Sequence, residues 1–557
     1  MAGVYAVYVV LWRPRQVIGA APADGLTRLA GALHVHTTLS DGEGTPDEVI
    51  AAAQRAGLDF LVITDHNNLD AKGVEGYHGR LLVIVGAELS STAGHILAVG
   101  IPDPVFRFSG DAADDLDDVS ALGGYAFAAH PDHPRPDFHW TGWGLPGPWG
   151  VEVWNADSQG RAGGWAALAR AAVLYPLNPR YALLRSLRPP TETLRRWDEL
   201  LESRDAAATG GADAHGGVRI RGRWLRAPSY EALFRLSRTY VLLPAPLAGR
   251  AADDIKAVVG ALGSGRSYVS LDVLAEGRGF FFRASDGARQ WQMGETAAPA
   301  ASLRVMAGGA LPSGARLRLL RNGVSVAEAS GPLEVAATEP GAYRVEAHVG
   351  GWASPWIVSN PIYVFDGGAA AERTALARRP PPSPPPPPLQ TIDAFEGDTG
   401  FAAEHDPTST MAEPIIDPHG GTGGSGAARL AFRLGVPSPA QPHTWCALVN
   451  RQARDLTGMK GLVFALRADG VYRIWVQARD GNPASPDDGI ESWFASVRTG
   501  PEWRRVAVPF AAMRSINKAS DGRLDLRDVR QLVFVLDRGA VKPGASGTIW
   551  IDDVGVY

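Results

Sequence analysis

The stretch that most constrains this chain is RRPPPSPPPPPLQ, residues 378–390. Consecutive prolines fix φ and remove amide donors, so the run is expected to be an extended spacer that joins neither core nor sheet. The chain must then fold as separate bodies on either side. Its 557 residues are in any case too many for one core, and about two to four domains are expected.

Before the spacer the sequence has two textures. Across residues 31–265, short apolar runs (ALHVH, FLVITDH, LLVIVGAE, YAFAAHP, GVEVW, GGADAH) alternate with helical stretches. Between the first two runs, TPDEVIAAAQRAG carries every mark of a helix. Thr45 is the N-cap, Pro46 the first helical residue, Glu48 completes a capping box, and Gly57 is the stop. TETLRRWDELLES reads as an amphipathic helix. Strand, helix, strand is the pattern of a parallel α/β sheet or barrel. From 270 to 366, ARLRLLRNGVSVAEA is two alternating runs joined by Asn322-Gly323, a hairpin signal, and a small β-sandwich is expected. Residues 367–390 read as linker. Residues 391–557 are strand-rich again and read as a second sandwich.

Residues 1–30 are a lead-in. VYAVYVVLW, residues 4–12, is apolar but too short to span a bilayer. Ala21-Pro22-Ala23 resembles a cleavage site, yet Arg13 and Arg15 stand between it and the apolar run. A signal or anchor remnant and a plain lead-in both fit. A membrane partner is expected only if this segment is an anchor. The net charge of -5 argues against a nucleic-acid partner, which would favour a basic surplus. The single cysteine, Cys446, excludes an intrachain disulfide. That fits a reducing compartment and also an exported bacterial protein.

The chemistry lies in the apolar runs. His34 and His36 are two apart on a strand, so both rings point one way, as a metal ion requires. VITDH delivers Asp65 and His66, VGAE delivers Glu88, AAHP delivers His130, VEVW delivers Glu152, and GADAH delivers Asp213 and His215. Each stands toward the end of a strand or in the loop that follows. In a parallel barrel those ends converge on one mouth. Burying so many ionisable groups without a cation would be costly, which points to a multi-metal site.

The segments HVHTTLSDG, TDH, GAE, AHP and DAH together resemble the polymerase and histidinol phosphatase (PHP) superfamily, over roughly residues 30–220. The resemblance implies a distorted (β/α)7 barrel followed by the two β-sandwiches. It implies two or three divalent ions (Mn, Zn or Fe) and metal-dependent hydrolysis by a metal-activated water. A small-molecule phosphoester is the favoured substrate. A carbamate or amide hydrolase on the same core, and a metal-containing protein without turnover, are the alternatives. By the same resemblance His34, His36, Glu88 and Asp213 hold a first metal, Glu88 and His130 a second, and Asp41, His66 and His215 a third. His95 and Glu152 are further candidate ligands, and His133 lies close to His130. Asp65, His66 and Asp213 are the candidate catalytic groups, with Asp65 expected to orient a ligand. Arg219 and Arg221 in GGVRIRGRW are candidate phosphate clamps, with a solvated basic strand edge as the other reading. The stretch GAELSSTAGHIL is similar to secreted or envelope hydrolases of the wider group, which tips location slightly away from the cytoplasm.

Residues 391–557 resemble galactose-binding-like sandwiches, of the kind seen in carbohydrate-binding modules, through AFEGDTG, YRIWVQARD and WIDDVGVY. A glycan is therefore a candidate partner. Trp445, Trp475, Trp493 and Trp503 would stack on sugar if they share a face, and would be core otherwise. Cys446 reads as a small buried apolar residue.

Overall fold

The computed structural model describes residues 2–19, 22–220, 223–376, 384–485, 489–515 and 517–557. The chain forms two compact units. One comprises residues 1–103 and 110–380, the other 104–109 and 381–557, so the division falls inside the proline run.

The first unit opens with helix α1 (Ala2–Leu11), then strand β1 (Thr27–Ala32) and helix α2 (Pro46–Ala56). Thr45 accepts from the Glu48 amide, Glu48 closes the capping box, and Gly57 ends the helix at φ 72°, as the local sequence requires. There follow β2 (Phe60–Ile63), β3 (Leu81–Val85), β4 (Ala87–Ser91), β5 (Gly94–Val99), α3 (Ala112–Ala121), β6 (Tyr125–Ala128) and β7 (Trp149–Asn155). Helices α4 (Ala156–Arg161), α5 (Gly164–Leu174), α6 (Pro179–Ser186) and α7 (Thr191–Ser203) lead to β8 (Ala208–Gly211).

These strands are linked in a ring. β1–β2 and β2–β3 are parallel, and a parallel bridge joins His66 to Glu88 at the start of β4. β6–β7 and β7–β8 are parallel. The bridge Val35↔Ala214, with His36 N donating to Ala214 O at 3.0 Å, returns to the extension of β1. Pairs β4–β5 and β5–β6 are antiparallel, unlike the uniform parallel order that strand–helix alternation suggests. The reason is local: Thr92 and Ala93 alone separate β4 from β5, too few for a crossover.

β9 (Arg238–Leu243) pairs antiparallel with β1, and β10 (Ser267–Ser270) with β9. β11 (Gly341–Val349) and β12 (Ile357–Ser359) then extend the same sheet through β10–β12. The strands expected as a separate sandwich at 270–366 thus include part of a sheet that runs straight across residues 265–270. The Asn322-Gly323 hairpin forms, with φ 49° and 76°, and its first strand pairs with β11. A four-stranded sheet built on Phe280–Ser285 and Arg304–Gly309 completes the region.

The expected linker at 367–390 begins instead with a helix, Gly367–Leu376. GGAAAERTAL contains three consecutive alanines, and Arg373 fixes it in place. Its guanidinium donates to the Leu201 and Glu202 carbonyls and to Asp205, and it stacks on Phe365.

In the second unit two sheets face each other. One contains β14 (Ala427–Arg433), β16 (Gly461–Ala468), β19 (Arg504–Pro509) and β21 (Ser546–Val556). The other contains β13 (Phe401–His405), β15 (Trp445–Asn450), β17 (Arg473–Gly481), β18 (Ile490–Arg498) and β20 (Val529–Asp537). Leu430, Phe464 and Ile551 meet Leu448, Val476 and Phe534 in the core between them. Period-two alternation sends Cys446 inward and Trp445 outward. Burial pushes the Cys446 thiol up to about 12, in keeping with an inert apolar residue.

Candidate metal centre

Six histidines and three carboxylates converge at one rim of the ring. His34 and His36 lie on the extension of β1, with Asp41 in the turn after it. His66 follows β2, Glu88 is in β4, His95 begins β5, His130 follows β6, and Asp213 and His215 follow β8. Their donor atoms form four overlapping groups: His36, Asp41, His66 and His215; His34, His130 and Asp213; His34, His36 and Glu88; and His66, Glu88 and His95. His95 joins because β5 runs antiparallel to its neighbours, so its first residues share an edge with the others' last.

Glu88 is the hub. Its Oε2 lies 3.1 Å from both His34 Nε2 and His36 Nε2, and 3.2 Å from His66 Nδ1. Its Oε1 accepts from His95 Nδ1 at 2.6 Å and from His130 Nε2 at 2.8 Å. Asp213 Oδ1 stands 3.5 Å from His34 and His36. Asp41 Oδ1 is 3.3 Å from His215 Nε2 and Oδ2 is 3.6 Å from His66 Nε2. His34, His36, Glu88, His130 and Asp213 are buried, whereas the Asp41 side chain is 56% exposed and marks the open side.

The electrostatics are those of a site short of cations. Burial would neutralise Glu88 and Asp213, but the surrounding imidazoles, His34 foremost, hold both carboxyls well below the usual range. Burial likewise opposes charge on His34 and His36. The carboxylates override it, holding His34 well above its ordinary value and His36 at about 9. His66 is lowered, chiefly by burial. Buried ring nitrogens of His34 (Nε2), His36 (both), His66 (Nδ1) and His130 (Nδ1) make no hydrogen bond. Unpaired soft-to-borderline nitrogen donors beside hard carboxylate oxygens form a donor set that divalent metal ions fit.

Glu152 and Asp65 are engaged in hydrogen bonds within the protein. Glu152 Oε1 accepts from His34 Nδ1 at 2.8 Å, and its Oε2 accepts from the His130 amide at 2.6 Å and from Asn155 at 3.0 Å. It turns His34 so that Nε2 faces Glu88 and Asp213. Gly211 makes room for this, since a Cβ there would lie 1.7 Å from Glu152 Oε1. Asp65 accepts from the Thr37 amide and hydroxyl and from the Ser40 hydroxyl, which folds the loop that carries Asp41. Tyr230 braces the same loop by donating to His36 O and accepting from Gly44 N. His34, His130 and Asp213 adopt positive φ of 60°, 28° and 44°, so backbone strain is concentrated among the converging residues.

Three features were not evident from sequence. Asn155 donates to both Glu152 and Asp213 (3.0 and 3.2 Å). Its place as the last residue of β7 and the N-cap of α4 was the available signal. Asp157 pairs with Arg161 and stands 3.6 Å from His133 Nε2. Phe138 lies against His95, His130 and His133, with ring centroids 5.0–6.1 Å apart. Arg221 and the side chains of Arg219 and Arg223 lie outside the described residues.

On the outer face of the sheet containing β15, β17 and β20, Trp445 and Trp475 pack around Ala447, Val449, Val533 and Val535. Trp493 is in the core of the second unit, and Trp503 donates to the Gly420 carbonyl. Two of the four tryptophans therefore share a face.

A two-domain protein from Bacteroides vulgatus, described as containing a predicted PHP-like metal-dependent phosphoesterase, aligns over 63% of this chain and 99% of its own. Identity is 14% and the TM-score 0.29. The family 11 carbohydrate-binding module of Clostridium thermocellum, solved with a β-1,3-1,4-mixed-linked tetrasaccharide, aligns over 30% of this chain and 94% of its own, at 16% identity and TM-score 0.25. An uncharacterized protein of Methanocaldococcus jannaschii is 26% identical over 117 residues, 18% of this chain and 67% of that protein. The family model described as PHP domain matches residues 32–104, the segment that supplies His34, His36, Asp41, His66, Glu88 and His95. Over residues 32–104, the first unit of this chain is similar to the PHP domain family.

Proposed function

We propose that the chain is a metal-dependent hydrolase acting on small phosphoesters. The observation that carries this is the set of buried ring nitrogens without hydrogen bonds, gathered around Glu88 and Asp213. In this reading the ring of strands is a distorted (β/α)7 barrel. His34, His36, Glu88 and Asp213 hold one divalent ion, Glu88 and His130 with His95 a second, and Asp41, His66 and His215 a third. Bound divalent ions would supply activation of water and stabilisation of the negative charge that develops on the substrate. The chain's own contribution is positional. Glu152 and Asn155 set His34 and Asp213, Asp65 and Tyr230 set the Asp41 loop, and Phe138 keeps water from one wall. Substrate reaches the centre from the side of Asp41, His66 and His215, which are its more exposed members.

For the second unit the reading is a glycan platform on the outer sheet face, supported by Trp445 and Trp475 sharing that face.

Elemental analysis of the purified chain, run with turnover of nitrophenyl phosphate mono- and diesters in manganese, tests the enzyme reading. Two or three ions per chain with phosphate release are expected. Bound ions with cleavage of a carbamate or amide, and no phosphate release, would transfer the assignment to that chemistry. A chain that binds no divalent ion overturns the site.

A further inference from the structure

Away from the metal centre, the surface of the first unit combines exposed apolar helical side chains with several exposed arginines. Helix α1, AGVYAVYVVL, has no charged residue. Val9 on its inner side is fully buried against Leu174, Tyr181 and Ala182. Asn178, the N-cap of α6, donates to the Val9 and Trp12 carbonyls at 2.9 and 3.0 Å, which ties the end of α1 to α6. The helix is thus docked, yet its outer side is apolar and open: Val4 is 77% exposed, and Val7 and Leu11 are exposed as well. On α5, which joins the same cluster through Leu174, Trp165 is 88% and Val173 72% exposed.

The segments that carry these helices are rich in arginine, one of which, Arg161, pairs with Asp157. Residues 1–23 and 158–191 contain seven arginines (Arg13, Arg15, Arg161, Arg170, Arg180, Arg185 and Arg188) and no Asp, Glu or Lys. They contribute +7 to a chain whose net charge is -5, leaving -12 for everything else. Arg13, Arg15, Arg170, Arg185 and Arg188 are exposed. A cavity of about 370 Å³ opens among Arg13, Arg15, Arg185, Tyr8, Trp12 and Trp352. Three guanidiniums over aromatic walls suit a phosphate carried at the end of an apolar body.

We propose that this face seats the first unit on an anionic phospholipid surface. Helices α1 and α5 lie in the plane of the interface, Tyr5, Tyr8, Trp12 and Trp165 sit at headgroup level, and the arginine cavity takes a lipid phosphate. Ten helical residues extend about 15 Å, half the hydrocarbon thickness, and no helix among the described residues is long and apolar enough to span.

The test is flotation of the full chain with vesicles of phosphatidylcholine alone and of phosphatidylcholine with one quarter phosphatidylglycerol. Binding to the anionic vesicles is expected, at least tenfold weaker to the neutral ones and weakened by 0.5 M salt. The pair Val7→Asp and Val173→Asp should lose at least tenfold in binding, with metal content and melting midpoint unchanged. If that pair fails to fold, Arg185→Glu with Arg188→Glu, at exposed positions, should give the same loss. No flotation with either vesicle, or equal flotation of parent and variants, overturns the proposal. So does a dimer that these substitutions abolish while vesicles remain unbound, which would make the face a contact between two copies.

Discussion

Two of the buried charge clusters in the first unit are built on opposite principles. Around Arg344 in β11 every group is answered. Its guanidinium donates to both Asp198 oxygens at 2.6 Å and to Glu346 at 2.8 Å, and His348 stands 3.2 Å from Glu346. Around Glu88, rings crowd one carboxylate, and the nitrogens that His34, His36 and His66 turn toward it make no hydrogen bond. A closed cluster contributes by holding elements together, here α7 to β11, and needs nothing from solution. An open cluster is expensive as it stands and is worth building only if something from solution completes it.

The sharpest way to break the contrast is to remove donors from the open set. His34→Ala with His36→Ala should abolish metal retention and lower kcat/KM by at least about 10³-fold, since two of the donors around Glu88 vanish together. The second unit should melt as before. Elemental analysis, turnover and calorimetry on one preparation check all three, and full turnover would sink the site assignment.

The converse change goes to the closed cluster. Asp198→Ala leaves Arg344 buried and only partly compensated, and should destabilise the first unit by about 3–5 kcal/mol. Metal content measured at low temperature should stay at the parent value. Loss of metal at full folding would show that the two clusters are not separable.

The closed cluster also carries a pH signature. Burial alone would raise the Glu346 carboxyl, but His348 and Arg344 pull it down to about 2. A depressed carboxylate stabilises the fold above the unfolded value of about 4.5, and that stability is lost as pH falls toward 2. About 2 kcal/mol should therefore disappear over that window, allowing for screening at the half-buried His348. Glu346→Gln should flatten the slope there, read from denaturant midpoints across a pH series.

The two clusters also differ in how far the sequence reveals them. Most of the converging residues could be read because strands have a period of two and their ends coincide in space. His34 and His36, Asp65 and His66, and Asp213 and His215 advertise themselves by spacing. His95 was ambiguous because periodicity says nothing of strand direction, and only the antiparallel β4–β5 turn brings its strand's beginning to the shared edge. Glu152 stands where a ligand should, but both its oxygens are taken by His34, His130 N and Asn155, a fact of three dimensions. The closed cluster left no trace. Arg344 sits in the alternating strand GAYRVEAHV, where it reads as solvent-facing, and its partner Asp198 is 146 residues away. For the same reason the texture change near 265–270 looked like a boundary. Alternation marks a strand but not the sheet edge it joins, and β10 joins β9 on one side and β12 on the other.

The smallest expected effect lies on the outer face of the second unit, where the comparison becomes one between two tryptophans. Trp475 is partly buried, donates to Asp537 at 2.9 Å and meets Phe494 edge-on at 5.4 Å. Trp493 is in the core and donates to Asp480 at 3.2 Å. Trp475→Ala should cost about 1 kcal/mol of glycan affinity, a roughly threefold to tenfold loss, because one stacking surface goes while the sheet keeps its core. Trp493→Ala should instead cost about 3–5 kcal/mol of stability, since it empties a core site. Calorimetric titration against an oligosaccharide panel, paired with melting of both variants, separates the two. If Trp475→Ala lowers the melting point as much as Trp493→Ala does and leaves glycan affinity untouched, the outer tryptophans serve the sandwich's own packing and the platform reading falls.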